Sequence, residues 1–167
     1  MKKKLQKLLK NQKGLTLVEL LAVVVILGII AAIAVPSIAN IIDNSKKDAH
    51  VANAEQMIGA ARLAVAANDK KLWTNTDNSA VANQITMKEL VDAGYLESNI
   101  EDPDSGNDYG TAYVTLIAPT NSAKTFSYKV TLKGSERGID ANSGAGVAPK
   151  DLKREAVTTG NKHNTGS

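Results

Sequence analysis

The 167-residue chain contains no cysteine. That removes disulfide scaffolds, thiolate catalysis and cysteine-ligated zinc or iron–sulfur centres. Aromatic residues are nearly as scarce, with one Phe, one Trp and four Tyr, so a soluble core must be assembled from Ala, Val, Ile and Leu. There are two histidines, His50 and His163, and neither stands at a metal-ligand spacing from a partner. His50 reads as an exposed helical residue. No G-x-S-x-G elbow or phosphate-binding Walker loop occurs, and Gly134, Gly138, Gly144 and Gly146 read as turn glycines. The chain is expected to be no enzyme, with no catalytic residue, no cofactor and no metal. Its length allows one domain with an appendage.

Positive charge is unevenly placed. Residues 1–14, MKKKLQKLLKNQKG, hold six lysines and no acid; the remaining 14 basic and 17 acidic side chains leave residues 15–167 at −3. The basic character therefore belongs to the leader, and overall charge is no argument for a nucleic-acid partner. Lys46-Lys47 and Lys70-Lys71 are isolated pairs rather than a basic stripe with aromatics, so DNA is an open partner class without support.

From Leu15 to Ile42 the sequence is LTLVELLAVVVILGIIAAIAVPSIANII, with Glu19 its one charge. As a helix it would reach about 42 Å, enough to cross a hydrocarbon core roughly 30 Å thick. No polar face interrupts its centre, which sets it apart from an amphipathic helix lying on a soluble core. The lysines before it orient the N-terminus to the cytoplasm and the C-terminal part outside. Gly28 and Pro36 are better tolerated in a membrane helix than in a soluble one, with a kink or local unwinding as the expected result. A secretory signal peptide competes, since Ser37-Ile38-Ala39 has the small-x-small form of a cleavage site; the apolar stretch is too long for it and contains a carboxylate. A plain signal anchor gives Glu19 no purpose, although placing it near the start of such a helix costs up to about 3 kcal/mol.

The boundary reads Lys13-Gly14-Leu15-Thr16-Leu17-Val18-Glu19-Leu20-Leu21. This resembles the processing motif of type IV prepilins and the related pseudopilins, and the resemblance covers roughly residues 1–50. It implies that a prepilin peptidase cuts between Gly14 and Leu15 and methylates the new amine of Leu15. It also implies that Glu19 pairs with that amine on a neighbouring subunit, and that Thr16 and Pro36 take part in assembly, Pro36 as a helix-bending residue. Leu15 departs from the commoner Phe at this place. The implied partners are other copies of the chain through their N-terminal helices, a cytoplasmic assembly ATPase and a membrane platform protein. The implied life history is a single-pass precursor in the cytoplasmic membrane, then a pilus at the cell surface serving adhesion, motility or DNA uptake. A pseudopilin of a secretion or competence system, or a membrane-anchored binding protein that does not polymerise, are the alternatives.

Elementary chemistry supports the arrangement. A carboxylate among aliphatic side chains is destabilising unless paired, solvated or protonated. Cleavage after Gly14 creates a cationic amine four residues from Glu19, on the same helix face. The two could satisfy each other within one helix or set the register between staggered helices. Gly14 suits a protease because a residue without a side chain lets extended backbone enter a narrow site.

The fold expected is α+β: a long N-terminal helical spine packed on a small antiparallel sheet. Its segments are a cleaved leader (1–14), a membrane or filament-core half of the helix (15–42), a second helical half (43–68), a small α+β domain (69–142) and a flexible C-terminal tail (143–167). Val51, Ala54, Ile58, Ala61 and Val65 form the apolar stripe of the second half. Residues 69–85 read as a polar, turn-rich stretch anchored by Trp73. Thr86-Met87-Lys88-Glu89 is a capping box opening a short helix that Gly94 closes. ELVDAGYL followed by Asp102-Pro103 is similar to a segment of pilins and pseudopilins from Gram-positive bacteria. Strands are expected at Ala112–Ala118 and Lys124–Lys133, the second alternating Phe126, Tyr128, Val130 and Leu132 with polar residues. A third is expected near Gly138–Asn142. Asp102, Asp104 and Asp108 form one acidic cluster, which reads as a solvated turn; a calcium loop is disfavoured by Pro103 and by the lack of a closing Glu.

Overall fold

The computed structural model describes residues 2–73, 83–119, 125–140 and 145–159, with side chains from residue 16 onward. The chain divides into two units, Met1–Asp43 and Asn44–Ser167.

Helix α1 (Lys2–Ala66) begins in the first unit. Within it the helix runs through Gly28 and Pro36 without interruption. Proline has no N–H to give the carbonyl four residues back, so that one bond is missing and the rest of the ladder carries the helix. Every large hydrophobic side chain from Leu17 to Ile42 is 52–70% exposed. Mean hydropathy over the best window is 3.0, and α1 is long and apolar enough to cross a membrane.

The second unit is built on the last turns of α1. Ala54, Met57, Ile58, Ala60, Ala61 and Ala64 are at most 4% exposed and form its core-facing side. Four of these six are alanine, the residue of highest helix propensity. The stripe expected from sequence supplies Ala54, Ile58 and Ala61 to the core, with Val51 and Val65 half-buried at its margin. Asn68 closes α1 at φ 55. The Asn68 N–H bonds Val65 O and the Asp69 N–H bonds Ala64 O, the two bonds of a Schellman cap.

Among the described residues the sheet has five antiparallel strands in sequential order: β1 (Asn83–Thr86), β2 (Thr111–Ile117), β3 (Ser127–Lys133), β4 (Gly138–Ile139) and β5 (Val157–Thr158). Registers Ile85↔Val114, Val114↔Val130 and Leu132↔Ile139 align one apolar face. Ile85, Val114, Leu116, Val130, Leu132 and Ile139 are at most 1% exposed and join the α1 residues in one core. Short helix α2 (Met87–Asp92) follows β1 directly. Its capping box forms as expected: Glu89 N–H donates to Thr86 Oγ1 (3.3 Å) and Thr86 N–H to Glu89 Oε2 (2.8 Å). Gly94, at φ 79, ends the turn that follows.

The α+β fold with a long N-terminal helix on a small antiparallel sheet is the one expected, with four corrections. β1 occupies residues placed in the polar stretch 69–85; it is an edge strand with one buried residue, Ile85, and so shows no alternation long enough to read. β3 starts at Ser127, opposite Ile117 where β2 ends, and Phe126 just before it meets the buried Trp73 edge-on, ring centroids 5.2 Å apart. The third strand, β4, stops at Ile139. Residues 145–159, expected in a loose tail, are folded onto the sheet. Val147 exchanges both backbone hydrogen bonds with Val130, Val157 pairs with Ile139, and Val147, Leu152 and Val157 are buried. Three apolar anchors at wide spacing were hidden in a composition of Gly, Ala, Lys and Thr. Residues 160–167, His163 among them, lie outside the described residues, as do Lys124 and Asn142.

Candidate functional site

The residues singled out at the processing boundary all lie on α1. Gly14 and Leu15 are in helical backbone, and their side chains lie outside the described ones. Thr16, Glu19 and Pro36 are exposed. Glu19 stands between Leu17 and Val18 on one side and Leu20 and Leu21 on the other, which are 58–68% exposed. It makes no hydrogen bond or ion pair with the described residues. The chain thus presents an apolar cylinder with a single acid near its start, and offers that acid no partner of its own among the described residues.

The second polar constellation lies in the unit Asn44–Ser167 and joins α1 to two loops. His50, expected on the surface, is fully buried, as is Asp102. His50 Nε2 is 3.1 Å from Asp104 Oδ2 and 3.6 Å from Asp102 Oδ1; its Nδ1 is 2.6 Å from Tyr109 Oη. Asn53 donates through Nδ2 to Tyr109 Oη (3.2 Å) and to the Glu101 carbonyl (3.0 Å). With Tyr109 donating to Nδ1 and His50 Nε2–H to Asp104, both ring nitrogens and the phenol have partners. Lys46 Nζ and Arg137 Nε stand 3.6 and 2.8 Å from Asp104, so two cations balance two carboxylates.

Asp102 holds the loops. It accepts from Asp104 N–H (3.0 Å), Ser105 Oγ (3.0 Å), Ser135 N–H (2.8 Å) and Ser135 Oγ (2.8 Å). Burial pushes its carboxyl up, but the hydrogen bonds led by Ser135 and Asp104 outweigh burial and hold it below the ordinary carboxylate value. Gly134 is required beside it: a Cβ there would fall 2.7 Å from Arg137 O and 2.8 Å from the Asp102 carboxylate.

The acidic cluster is therefore not a solvated turn, and its third member is elsewhere: Asp108 accepts from Asn99 Nδ2 at 2.7 Å. His50, Asp102 and Asp104 bring ligand-type atoms within 4.8 Å of one another. Their lone pairs are nevertheless committed to the chain's own donors, with Arg137 and Lys46 standing against Asp104 where a cation would. Tyr109, His50 and Asp104 form a line reminiscent of a catalytic relay, but Tyr109 is 5% exposed. Burial first, and the Asp102 and Asp104 charges with it, raise its phenol despite the Asn53 hydrogen bond, the opposite of an activated nucleophile. The constellation is a clasp. One signal could have exposed it: His50, Ala54 and Ile58 follow one another at i+4, so His50 extends the buried stripe by a turn.

Residues 9–35 match the prokaryotic N-terminal methylation motif. Over 154 residues the chain is 30% identical to fimbrial protein EcpC of Eikenella corrodens, covering 89% of this chain and 95% of that protein. No solved structure matches the chain.

Proposed function

The chain belongs to the type IV pilin family, a family of structural subunits, and from that premise we propose that it is cut between Gly14 and Leu15, methylated on the new Leu15 amine, and polymerised through α1 into a type IV pilus. The observation that carries this reading is the exposed apolar run Leu17–Ile42 with Glu19, unpartnered among the described residues, at its start.

Before assembly the run is dry in the bilayer, so moving it into a filament gains little from water exclusion; close packing and specific polar pairs decide the association instead. That supports two roles. Lateral packing of α1 against copies of itself supplies cohesion, and the Glu19 carboxylate meeting a Leu15 amine on a neighbour supplies register, since an unpaired charge there is costly. Extraction from lipid then needs an outside source of work, the role of the assembly ATPase and the platform protein. Pro36, lacking one helix hydrogen bond, marks the point where α1 bends most readily as copies pack. On this reading the precursor spans the cytoplasmic membrane with its N-terminus inside.

Glu19→Ala is expected to be cleaved and methylated normally, as read by mass spectrometry of the mature N-terminus, and to give few filaments by electron microscopy of sheared surface material. Filaments at wild-type yield would refute the register role. Gly14→Leu is expected to accumulate uncut precursor.

A further inference from the structure

Outside the run Leu17–Ile42, one large hydrophobic side chain among the described residues is exposed: Leu63 on α1, at 61%. One turn before it stands Gly59, where a Cβ would meet no atom within 4 Å. The chain's own packing gives no reason for a missing side chain there, although glycine weakens a helix interior relative to alanine. At 3.6 residues per turn, Ala52, Gln56, Gly59 and Leu63 share one narrow sector of α1, opposite the core-facing Met57 and Ala61. Glu55 and Arg62, both exposed, run along one border of that sector. Glu55 makes no hydrogen bond or ion pair with the described residues, and the Arg62 guanidinium lies 5.4 Å from the Tyr128 ring centroid.

We propose that this face is a second helix-to-helix contact between subunits, with another copy of the same chain as its occupant. The inference rests on the filament reading above. Two features point to a second copy. The face belongs to the helix whose apolar run that reading already buries between copies. It is also self-complementary in charge: two parallel copies shifted by seven residues, about 10 Å along the axis, bring Arg62 of one level with Glu55 of the next. The same shift sets Leu63 of one copy over Gln56 of the next, flanked by Ala52 and Gly59, a knob over a shallow hole whose floor is open because Gly59 has no side chain.

The test uses full-length chain assembled in cells, with the processed subunit in detergent micelles as the folding control. Gly59→Leu is expected to leave the thermal unfolding midpoint of the micellar subunit unchanged or raised, while filament yield falls roughly tenfold, a loss of the size that filling a close-packed contact produces. Glu55→Arg and Arg62→Glu are each expected to lower filament yield, and the double variant Glu55→Arg/Arg62→Glu to restore it, because the swapped pair meets again across copies. Wild-type filament yield from Gly59→Leu, or a double variant no better than the singles, overturns this contact and leaves the Glu19 reading standing. A wild-type chain that forms no filaments overturns both.

Discussion

With both of its oxygens taken up by backbone and hydroxyl donors, Asp102 ties two loops together, beside the Asp104–Arg137 pair that joins the same loops. Asp102→Ala would remove the carboxylate acceptor from the part-buried N–H groups of Ser135 and Asp104 and from the hydroxyls of Ser105 and Ser135, a bond to a charged acceptor being worth up to about 3 kcal/mol against the roughly 5–15 kcal/mol that holds an ordinary domain together. Chemical denaturation of that variant should show a steep loss or no cooperative transition. The same hydrogen bonds fix the sign of the acid response. Asp102 titrates below its ordinary value of 3.8 in the folded chain, so its contribution is complete above the unfolded value and fades as pH falls through the lower folded one. Unfolding midpoints measured from about pH 6 to about pH 2 should decline most below about pH 4, and Asp102→Asn should flatten that decline while lowering the plateau. At this scale the sequence was a mixed guide. Glu19 was conspicuous because its neighbours are uniformly apolar. His50 and Asp102 were not, because a polar residue reads as exposed until its partners are known, and those partners lie up to 59 residues away.

Among the elements, α2 was legible from four letters. Thr86 and Glu89 need each other and little else, so the box could be read before the fold was known. Thr86→Ala is expected to cost about 1 kcal/mol, within a range of roughly 0.5–2, measured as a shift in the denaturation midpoint with an unchanged slope. β1 and β5 were illegible because their pairing partners, not their own residues, make them strands: two to four residues with one buried side chain carry no period. The closing segment 145–159 shows which of its contacts matter. Arg154 forks onto Asp48 through Nε and a terminal nitrogen, holding the Asp48 carboxyl below its usual value by that hydrogen bond. The pair is open to solvent, so Arg154→Ala should shift the unfolding midpoint slightly at low salt and not at all at high salt. A stop codon after Gly144 removes Val147, Leu152 and Val157 from the core, and should abolish cooperative unfolding.

For the molecule as a whole, every core residue from Ala54 to Val157 belongs to the unit Asn44–Ser167. A fragment of residues 44–167 is therefore expected to be soluble, monomeric by sedimentation and cooperatively folded by circular dichroism, and to form no filaments. In the sequence the mainly apolar run gives way to charged and polar residues after Ile42, next to the point after Asp43 where the chain divides; the five-stranded sheet was not legible, since two of its strands are visible only through their neighbours. The order of the strands has a consequence for biosynthesis. β5 leaves the ribosome after the other four, and in the proposed orientation it is also the last of them to emerge from the translocation channel. Until it arrives, β4 has a bare edge and the core lacks Val157, so the sheet closes only once the last strand has been made.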